Sequence, residues 1–396
     1  MPGLPAFCLR PRGPRRGAVL TLVFLTSVAA AASTGCWVPE EPPALVARAG
    51  GAAAAGPGAP RSASTADREA VARAAAEAVA EGKSGKKAAQ EVVSRSGDRW
   101  GTVYDQDEYE AFAEDLDGRW TGVGLWAERG RDGRIEIDKV QPDSPAARAG
   151  LRAGDRLLSV DGHHVTGLVV GDVVSLLRGE AGTPVVLGLS RGGADLTETV
   201  RREQLRTEPV TVRQLPGGIT VIKVSSFTRG SGERVRAAVR AAPAGAGVVL
   251  DLRGNPGGLV TEAVAAASAF LDGGLVGTYD VRGEQRALYA APGGDTARPL
   301  VALVDAGTMS AAELVTGALQ DRGRAVVVGS RTFGKGSVQM PTELPDGSVA
   351  ELTVGTYRTP GGRSLDGAGI IPDLAAGGDG AEERAARVLG GPGVGP

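Results

Sequence analysis

A serine and a lysine in the C-terminal half have the surroundings that a nucleophile and its base need. Ser310 follows an apolar run that ends in Gly307, at the predicted start of a helix. Lys335 stands between two glycines after a run of β-branched residues. Glycine neighbours let a lysine be held in a confined place, where an ammonium group removed from water has a lowered pKa. A neutral lysine beside a serine hydroxyl is a competent general base, so the pair indicates a serine hydrolase that needs no histidine.

The composition removes several other kinds of site. The two histidines, His163 and His164, are adjacent, which is not the usual spacing of metal ligands. The cysteines are Cys8 and Cys36, so the chain beyond them offers no disulfide, no thiolate zinc site and no cysteine nucleophile. We therefore expect no metal and no organic cofactor. A formal net charge of −2 gives no electrostatic case for nucleic acid as a partner.

Three predicted connections position these residues. The first is the buried run Val248–Leu252, which leads into the turn Gly254–Gly258 and then a helix. A tight glycine turn before a helix N-terminus leaves backbone N–H groups free to hold an anion. The other two connections follow the apolar runs Leu300–Val304, before the serine, and Ala325–Val328, before the lysine. Taken singly, each residue has a simpler interpretation, an N-cap serine and a surface lysine.

Together the three connections resemble the carboxy-terminal processing proteases, a family of tail-specific peptidases with a Ser/Lys dyad. The string Thr332–Gln339, placed after the string Gly307–Glu313, is specific to that family. The resemblance implies an α/β fold, in which a crotonase-like protease core carries an inserted PDZ domain and an N-terminal helical arm. Met309 and Ala312 depart from the small residue and the serine that are usual beside the nucleophile, and Gly254 stands where a second asparagine is commoner.

The resemblance also implies roles for five residues of the protease core. Ser310 would be the nucleophile, Lys335 the general base, and Gln339 the residue that orients the lysine. The backbone N–H groups of Gly258 and Ala311 would form an oxyanion hole for the tetrahedral intermediate. None of the departures from the family pattern removes one of these groups.

A peptide-docking module is predicted for residues 106–204. The strings Asp143–Leu151 and Gly154–Gly162, followed by a predicted helix at Val170–Leu177, resemble a PDZ domain. PDZ domains bind a peptide as an added strand beside one helix. The resemblance therefore implies that the module captures the C-terminus of a substrate.

Two features of this module bear on how it would bind. By resemblance, Val123, Gly124 and Leu125 form the loop that receives the terminal carboxylate, because glycine permits an open turn whose N–H groups bind an anion. Arg178, at the end of the predicted helix, is a hypothetical sensor that links tail binding to activation. The simpler alternative is a cation that interacts favourably with the C-terminal end of the helix dipole.

The N-terminus, residues 1–39, has the pattern of an export signal or a membrane anchor. Four arginines between Arg10 and Arg16 precede Gly17–Pro39, a stretch without a charged side chain. A basic region before an apolar run is typical of secretion, and this run is just long enough to cross a bilayer. The positive charges would stay in the cytoplasm and place the rest of the chain outside. We favour an uncleaved anchor in the cell membrane over a cleaved signal, which would give a secreted protein; lipidation of Cys36 fits poorly, because Ser33 precedes it by three places.

The other segments are assigned from composition and helical pattern. Residues 40–65 form a Pro/Ala/Gly linker, and residues 66–105 a helical segment with helices at Asp67–Ala80 and Lys86–Ser94. The resemblance implies a protease domain over residues 205–376, and residues 377–396 are a Gly/Ala-rich tail. The helical segment could mediate a homodimer, although a solvated helix explains the same pattern equally well.

These observations favour an exported serine endopeptidase that recognises a substrate C-terminus through its PDZ domain and cleaves near it. Its partners would be proteins or peptides with free C-termini. The alternative from another class is a catalytically silent, PDZ-bearing membrane scaffold, against which the complete set Ser310, Lys335 and Gln339 argues. Use of the same dyad by an acyl hydrolase or a signal-peptidase-like enzyme is weakened by the docking module.

Overall fold

The structure is a computed structural model that describes residues 66–130, 132–168, 170–281, 284–378 and 380–390. The predicted signal or anchor and the linker that follows it lie outside the described residues. Within the described ranges, no helix combines the length and the apolar character that crossing a membrane requires. The described residues form one compact unit.

The N-terminal segment begins with two short helices and ends with a third. Its elements are α1 (Arg68–Ala80), α2 (Gly85–Ser96), β1 (Thr102–Tyr104) and α3 (Gln106–Leu116). Asp67 caps α1 by accepting a hydrogen bond from Glu69 N, as predicted from its residue type. The buried side chains of α1 and α2 pack on strands of the C-terminal core, in a cluster that includes Val71, Val93 and Leu352.

An inserted domain of strands and two helices follows. Its elements are β2 (Arg119–Gly122), β3 (Leu125–Arg129), β4 (Ile135–Val140), α4 (Pro145–Arg148), β5 (Arg156–Val160), β6 (His163–His164), α5 (Val170–Leu177), β7 (Pro184–Arg191), β8 (Ala194–Arg201) and β9 (Glu203–Arg206). The sheet order is β3-β4-β5-β7-β8, and β6 pairs with β5. Strands β2 and β9 pair antiparallel and bring the two ends of the insertion together.

The described elements of the C-terminal core are β10 (Val210–Gln214), a 3-10 turn (Pro216–Gly218), β11 (Thr220–Val224), α6 (Ser231–Ala241), β12 (Val248–Asp251), α7 (Val260–Ala267), β13 (Leu275–Val281), β14 (Glu284–Tyr289), β15 (Leu300–Val304), α8 (Ala311–Asp321), β16 (Val326–Gly329), β17 (Ser337–Glu343), β18 (Val349–Arg358), β19 (Leu374–Ala375) and α9 (Gly380–Val388). These elements form two sheets. The predicted mixed α/β class is confirmed, while the crotonase-like description of the core stays a prediction.

The first core sheet has the order β10-β11-β12-β15-β16-β19. Its pairings from β11 to β19 are parallel, and β10 is antiparallel to β11. Every residue of β12 and β15 is buried, as expected for parallel strands covered on both faces. Because the carboxyl ends of parallel strands meet at one edge of a sheet, the turns after β12, β15 and β16 lie together there.

The second core sheet joins distant parts of the chain. Its order is β1-β18-β13-β14, with β17 also paired to β18. Strand β1 of the N-terminal segment lies antiparallel to β18, with Thr102 opposite Glu351. The N-terminal segment is thus continuous with the C-terminal core through backbone pairing.

Helix α3 lies within the residues predicted for the docking module, yet its aromatic contacts run to β1. Phe112 stacks on Tyr104, with ring centroids 5.3 Å apart. The main hydrophobic cluster of the inserted domain consists of residues from Val123 to Val200. The predicted domain boundaries stay predictions, because α3 touches both regions.

Candidate active site

Ser310 occupies a strained turn at the start of α8. Its backbone angles are φ 52° and ψ −118°, a conformation that side-chain-bearing residues rarely adopt. Its backbone N–H donates to Glu313 Oε2 at 2.9 Å, which helps to hold the strained conformation. The side chain is half-buried, so the hydroxyl stands at the sheet edge between the core and solvent.

Glu313 ties the serine turn to the lysine loop. Its side chain is fully buried, and its Oε1 accepts hydrogen bonds from Thr332 Oγ1 at 2.5 Å and Gly334 N at 2.8 Å. Its Oε2 accepts from Ser310 N at 2.9 Å and from Lys335 N at 2.8 Å. One oxygen therefore holds the backbones of both predicted dyad residues. In the sequence this glutamate was noted only as part of a motif. The sign of a special role was that it is a charged residue in an otherwise apolar stretch of the helix.

The turn after β12 is fastened to the serine turn by Asn255, which is fully buried. Asn255 Oδ1 accepts from Gly257 N at 2.8 Å, and Asn255 Nδ2 donates to Val224 O at 3.0 Å. The backbone N–H of Met309 donates to Asn255 O at 2.8 Å. The Asn255 side chain thus bonds to a backbone group inside the turn, while the backbone at Gly257 lies beside Ser310.

Two backbone N–H groups are free beside the serine. Within the described residues, neither Gly258 N nor Ala311 N donates a hydrogen bond to another group. A Cβ on Gly258, whose φ is +129°, would lie 2.5 Å from Phe227 O, so only glycine fits there. A Cβ on the neighbouring Gly257 would lie 3.0 Å from the Cβ of Ser310, which shows how closely the turn approaches the hydroxyl. Two such donors can bind a developing oxyanion.

Lys335 projects toward the N-terminal segment. Its Nζ lies 4.9 Å from the centroid of the Trp100 ring. Burial lowers the pKa of the Lys335 ammonium below its usual value, while the Glu351 and Asp98 carboxylates raise this pKa in part. In the described part of the chain, Nζ makes no hydrogen bond to Ser310 Oγ. The structure therefore brings the two backbones together without joining the two reactive groups.

Gln339 lies on β17, the strand that follows Lys335 in the chain. Its Nε2 donates to Ser337 Oγ at 2.7 Å and to Thr353 Oγ1 at 3.4 Å. The hydroxyl of Thr353 in turn donates to Asp98 Oδ1 at 2.7 Å. The amide is thus held by a chain of hydrogen bonds that ends in the N-terminal segment.

Glu351, on β18, is a half-buried acid that the sequence did not single out. Burial raises its pKa to about 7, and the positive charge of Lys335 lowers that pKa in part. The residue lies in an alternating strand pattern, which gave no sign that its carboxyl would face a lysine. Within the described residues, no cluster of three or more potential metal ligands is present.

The predicted residues of the docking module lie at the start of β3. Val123 and Leu125 are buried, and Gly124 adopts φ +86°. A Cβ on Gly124 would lie 2.2 Å from the Cβ of Ser144, so the loop requires glycine. Val123 O accepts from Ala146 N at 2.8 Å, which fixes the loop on α4.

Arg178 follows α5 and contacts the N-terminal segment. Its Nη1 donates to Asp115 Oδ2 at 3.0 Å, and its Nη2 donates to Asp115 Oδ1 at 3.4 Å. Both side chains are partly exposed, so the bridge is weak and exchangeable. The contact places the predicted sensor between the inserted domain and α3.

Known proteins match this chain in both parts. Residues 218–376 match peptidase family S41, and residues 136–191 match the PDZ domain. The chain is 33% identical over 284 residues to the carboxy-terminal processing protease CtpA of Bacillus subtilis, covering 70% of this chain and 61% of that protein. It is 35% identical over 268 residues to the carboxy-terminal-processing protease of Bartonella bacilliformis, covering 65% of this chain and 61% of that protein. The aligned regions thus span about three fifths of the length of these relatives.

A solved structure extends the similarity. The photosystem II D1 C-terminal processing protease is 30% identical and aligns with a TM-score of 0.52, covering 77% of this chain and 86% of that chain. These matches confirm the predicted resemblance, including its PDZ component. The chain therefore belongs to peptidase family S41, among the carboxy-terminal processing proteases that carry a PDZ domain.

Proposed function

We propose that this protein is an exported serine endopeptidase that captures the free C-terminus of a protein or peptide through its PDZ domain and cleaves near it with Ser310 and Lys335. One observation carries the proposal. A single buried oxygen, Glu313 Oε2, holds the backbones of both residues, beside two free N–H groups. That arrangement supplies a nucleophile, a base and an anion site in one place.

The chemistry would proceed as an acyl transfer. Neutral Lys335 Nζ takes the proton of Ser310 Oγ as the oxygen attacks the carbonyl carbon of the scissile peptide bond. The N–H groups of Gly258 and Ala311 stabilise the oxyanion that forms. The lysine then returns the proton to the leaving amine, and a water molecule, deprotonated by the same lysine, hydrolyses the acyl-enzyme. The lowered pKa of Lys335 supports this role, because it increases the neutral fraction near pH 7.

Tail capture would supply binding energy away from the scissile bond. A peptide held on the loop Val123–Leu125 reaches the serine in a restricted set of positions, which lowers the entropic barrier to attack. Arg178 remains the proposed sensor, since its exposed bridge to Asp115 can exchange for another carboxylate. If Arg178→Ala left the dependence of cleavage on tail length unchanged, the sensor role would be refuted.

Export through residues 1–39 is part of the same proposal, with a membrane anchor preferred to a cleaved signal. The basic stretch before an uncharged run supports it. Alkaline extraction of membranes, with detection of the C-terminal half, separates the two. An anchor stays in the pellet, whereas a cleaved form appears in the medium with a shortened N-terminus. A homodimer through the N-terminal helical segment is a separate proposal, for which light scattering is the test.

The second candidate is the catalytically silent scaffold. The observation in its favour is that Lys335 Nζ lies on Trp100 and makes no hydrogen bond with Ser310 Oγ within the described residues. A scaffold of this kind would bind peptide tails without cleaving them.

Incubation with an unfolded protein that bears an apolar C-terminal tail tests the proposal. Cleavage by the parent chain, and its loss in Ser310→Ala and Lys335→Ala, is the expected result. Lys87→Ala, at an exposed lysine on α2, is the matched control and should cleave like the parent. Cleavage by all four chains would mean that another nucleophile acts. Tail binding without cleavage by any chain would favour the scaffold.

A further inference from the structure

The segment Asp98–Trp100, between α2 and β1, reaches the lysine of the proposed dyad. Trp100 is half-buried, and its ring face lies under Lys335 Nζ at 4.9 Å from the ring centroid. The same ring contacts Phe333, two residues before the lysine, with centroids 5.7 Å apart. An ammonium group within about 6 Å of an indole centroid is attracted by the negative face of the ring. The lysine therefore has an electrostatic partner that does not belong to the protease core.

Asp98 fixes this segment in place. The Asp98 side chain is buried and accepts from the backbone N–H groups of Trp100 at 3.1 Å and Gly101 at 2.9 Å. It also accepts from Thr353 N at 2.9 Å and Thr353 Oγ1 at 2.7 Å. Four donors on one buried carboxylate tie the backbone at Trp100 to β18. The point from which the indole extends is thus fixed relative to the core sheet.

We propose that Trp100 is a positioning residue, which holds the charged form of Lys335 on its ring before the proton transfer begins. The N-terminal segment is then part of the proteolytic site. The proposal rests on the assignment of Lys335 as general base. The neutral amine has little attraction to the ring, whereas the ammonium is held there. Loss of the ammonium proton to solvent therefore weakens the contact with the ring, and the neutral amine that results can accept the proton of Ser310 Oγ. The indole thereby sets the pH at which the base becomes available.

Three other charged groups face this position. Glu351 approaches from β18 and Asp98 from the segment itself, and both favour the charged lysine. The guanidinium of Arg99 lies 5.3 Å from the centroid of the same indole and competes with the lysine for the ring. Replacing only the indole leaves these three groups in place. The effect of the ring can therefore be measured separately from theirs.

The titration of Lys335 in the full chain provides the test. The sequence has six lysines, so ¹³C-labelled lysine gives few signals, and Lys335→Arg identifies the one that matters. In a Ser310→Ala background, Trp100→Leu keeps an apolar cover but removes the ring quadrupole. We expect the pKa of Lys335 to fall by about half a unit to one unit. Trp100→Phe, which keeps a weaker ring, should produce a smaller fall.

The chain contains its own control. Lys139 lies 5.2 Å from the centroid of Trp126 in the inserted domain. Trp126→Leu removes an indole that carries a lysine elsewhere and should leave the titration of Lys335 unchanged. If Trp100→Leu and Trp126→Leu affect Lys335 equally, the proposal is wrong. If Trp100→Leu does not fold, as judged by thermal unfolding, Trp100→Phe is measured instead. An unchanged pKa of Lys335 in Trp100→Phe would then overturn the proposal.

Cleavage gives a second readout in chains that retain Ser310. The acid limb of kcat/KM reports the free enzyme, so Trp100→Leu should move this limb to lower pH by the same amount as the titration. A fall in activity or a rise in KM with an unmoved limb would show a structural or substrate-binding role and overturn the proposal. If Lys335→Ala cleaves like the parent, the proposed function fails instead, and the titration still reports whether Trp100 seats the lysine.

Discussion

Replacing Glu313 with glutamine tests whether one carboxylate holds the two halves of the candidate site together. The wild-type carboxylate can only accept hydrogen bonds, and it accepts four, two on each oxygen. Glutamine replaces one acceptor oxygen with an NH₂ group of nearly the same size. The change therefore alters polarity without leaving a cavity.

The structure indicates which way the amide would turn. An NH₂ group in the place of Oε2 would face two backbone N–H groups, those of Ser310 and Lys335. In the place of Oε1 it would face Thr332, whose hydroxyl can rotate and accept, and Gly334 N, which would lose its partner. The second orientation costs less. One unpaired buried N–H costs about 1–3 kcal/mol, and three bonds lose their charge assistance, so we expect a total of about 3–5 kcal/mol.

Denaturant unfolding and peptide cleavage measure the two consequences. The free energy of unfolding should fall by the amount above. In the preferred orientation the serine and lysine backbones lose only charge assistance, about 1–2 kcal/mol for the two hydrogen bonds together, so kcat/KM should fall about tenfold. Glu262→Gln is the matched control, because Glu262 on α7 also accepts from two backbone N–H groups, those of Gly230 and Gly232, at 2.9 Å each. It should lose stability and keep activity.

Two results would refute this reasoning. Parent-like stability and cleavage in Glu313→Gln would mean that the four hydrogen bonds do not hold the site. An equal loss of activity in Glu262→Gln would mean that activity follows global stability rather than the local contacts of Glu313.

Three further predictions concern the core and the inserted domain. Because burial raises the pKa of Glu351 from 4.5 to about 7, the fold favours its neutral form, and stability should fall as pH rises from about 4.5 to about 7 and then level off. Glu351→Gln should remove up to about 3 kcal/mol of this dependence in denaturant titrations that span both pKa values. Gly258→Ala should lower stability by about 2 kcal/mol or more and suppress cleavage, since its Cβ would meet the backbone of Phe227; thermal unfolding and peptide assays check both. The hydrogen bond from Arg191 lowers the pKa of buried Asp155, so the ionised carboxylate stabilises the fold above about pH 4, and this stabilisation is lost on acidification. Asp155→Asn should lower the free energy of unfolding by about 1–3 kcal/mol at pH 7, and its stability should depend less on pH in the acid range.

The local elements of the core could be predicted because buried parallel strands leave continuous apolar runs between glycine turns. The run at Leu300–Val304 and the helix at Val170–Leu177 are present with the predicted bounds. The hairpin of β13 and β14 was not predicted. Most residues of Glu284–Tyr289 are exposed or half-buried, so this strand carries little apolar signal.

The environment of the lysine was beyond the reach of sequence patterns. Trp100 and Glu351 come from segments far apart in the chain, and neither local pattern records its partner. Glu313 could be recognised in the sequence as part of a motif, but its four hydrogen bonds depend on how two loops meet at a sheet edge. Spacing could indicate which residues are available for chemistry, while the neighbours that tune them arise only from tertiary packing.

The pairing of β1 with β18 also orders events during synthesis. Thr102 pairs with Glu351, so β1 has no partner until the ribosome has made and released almost the whole protease core. Contacts that close so large a loop form late in folding. The surroundings of Lys335 are therefore assembled after the strands that precede it. Because Ser310 is made only shortly before Glu351, a nascent chain would carry the proposed nucleophile without a finished base for a short part of translation, and would be unable to cut its neighbours before its own synthesis is nearly complete.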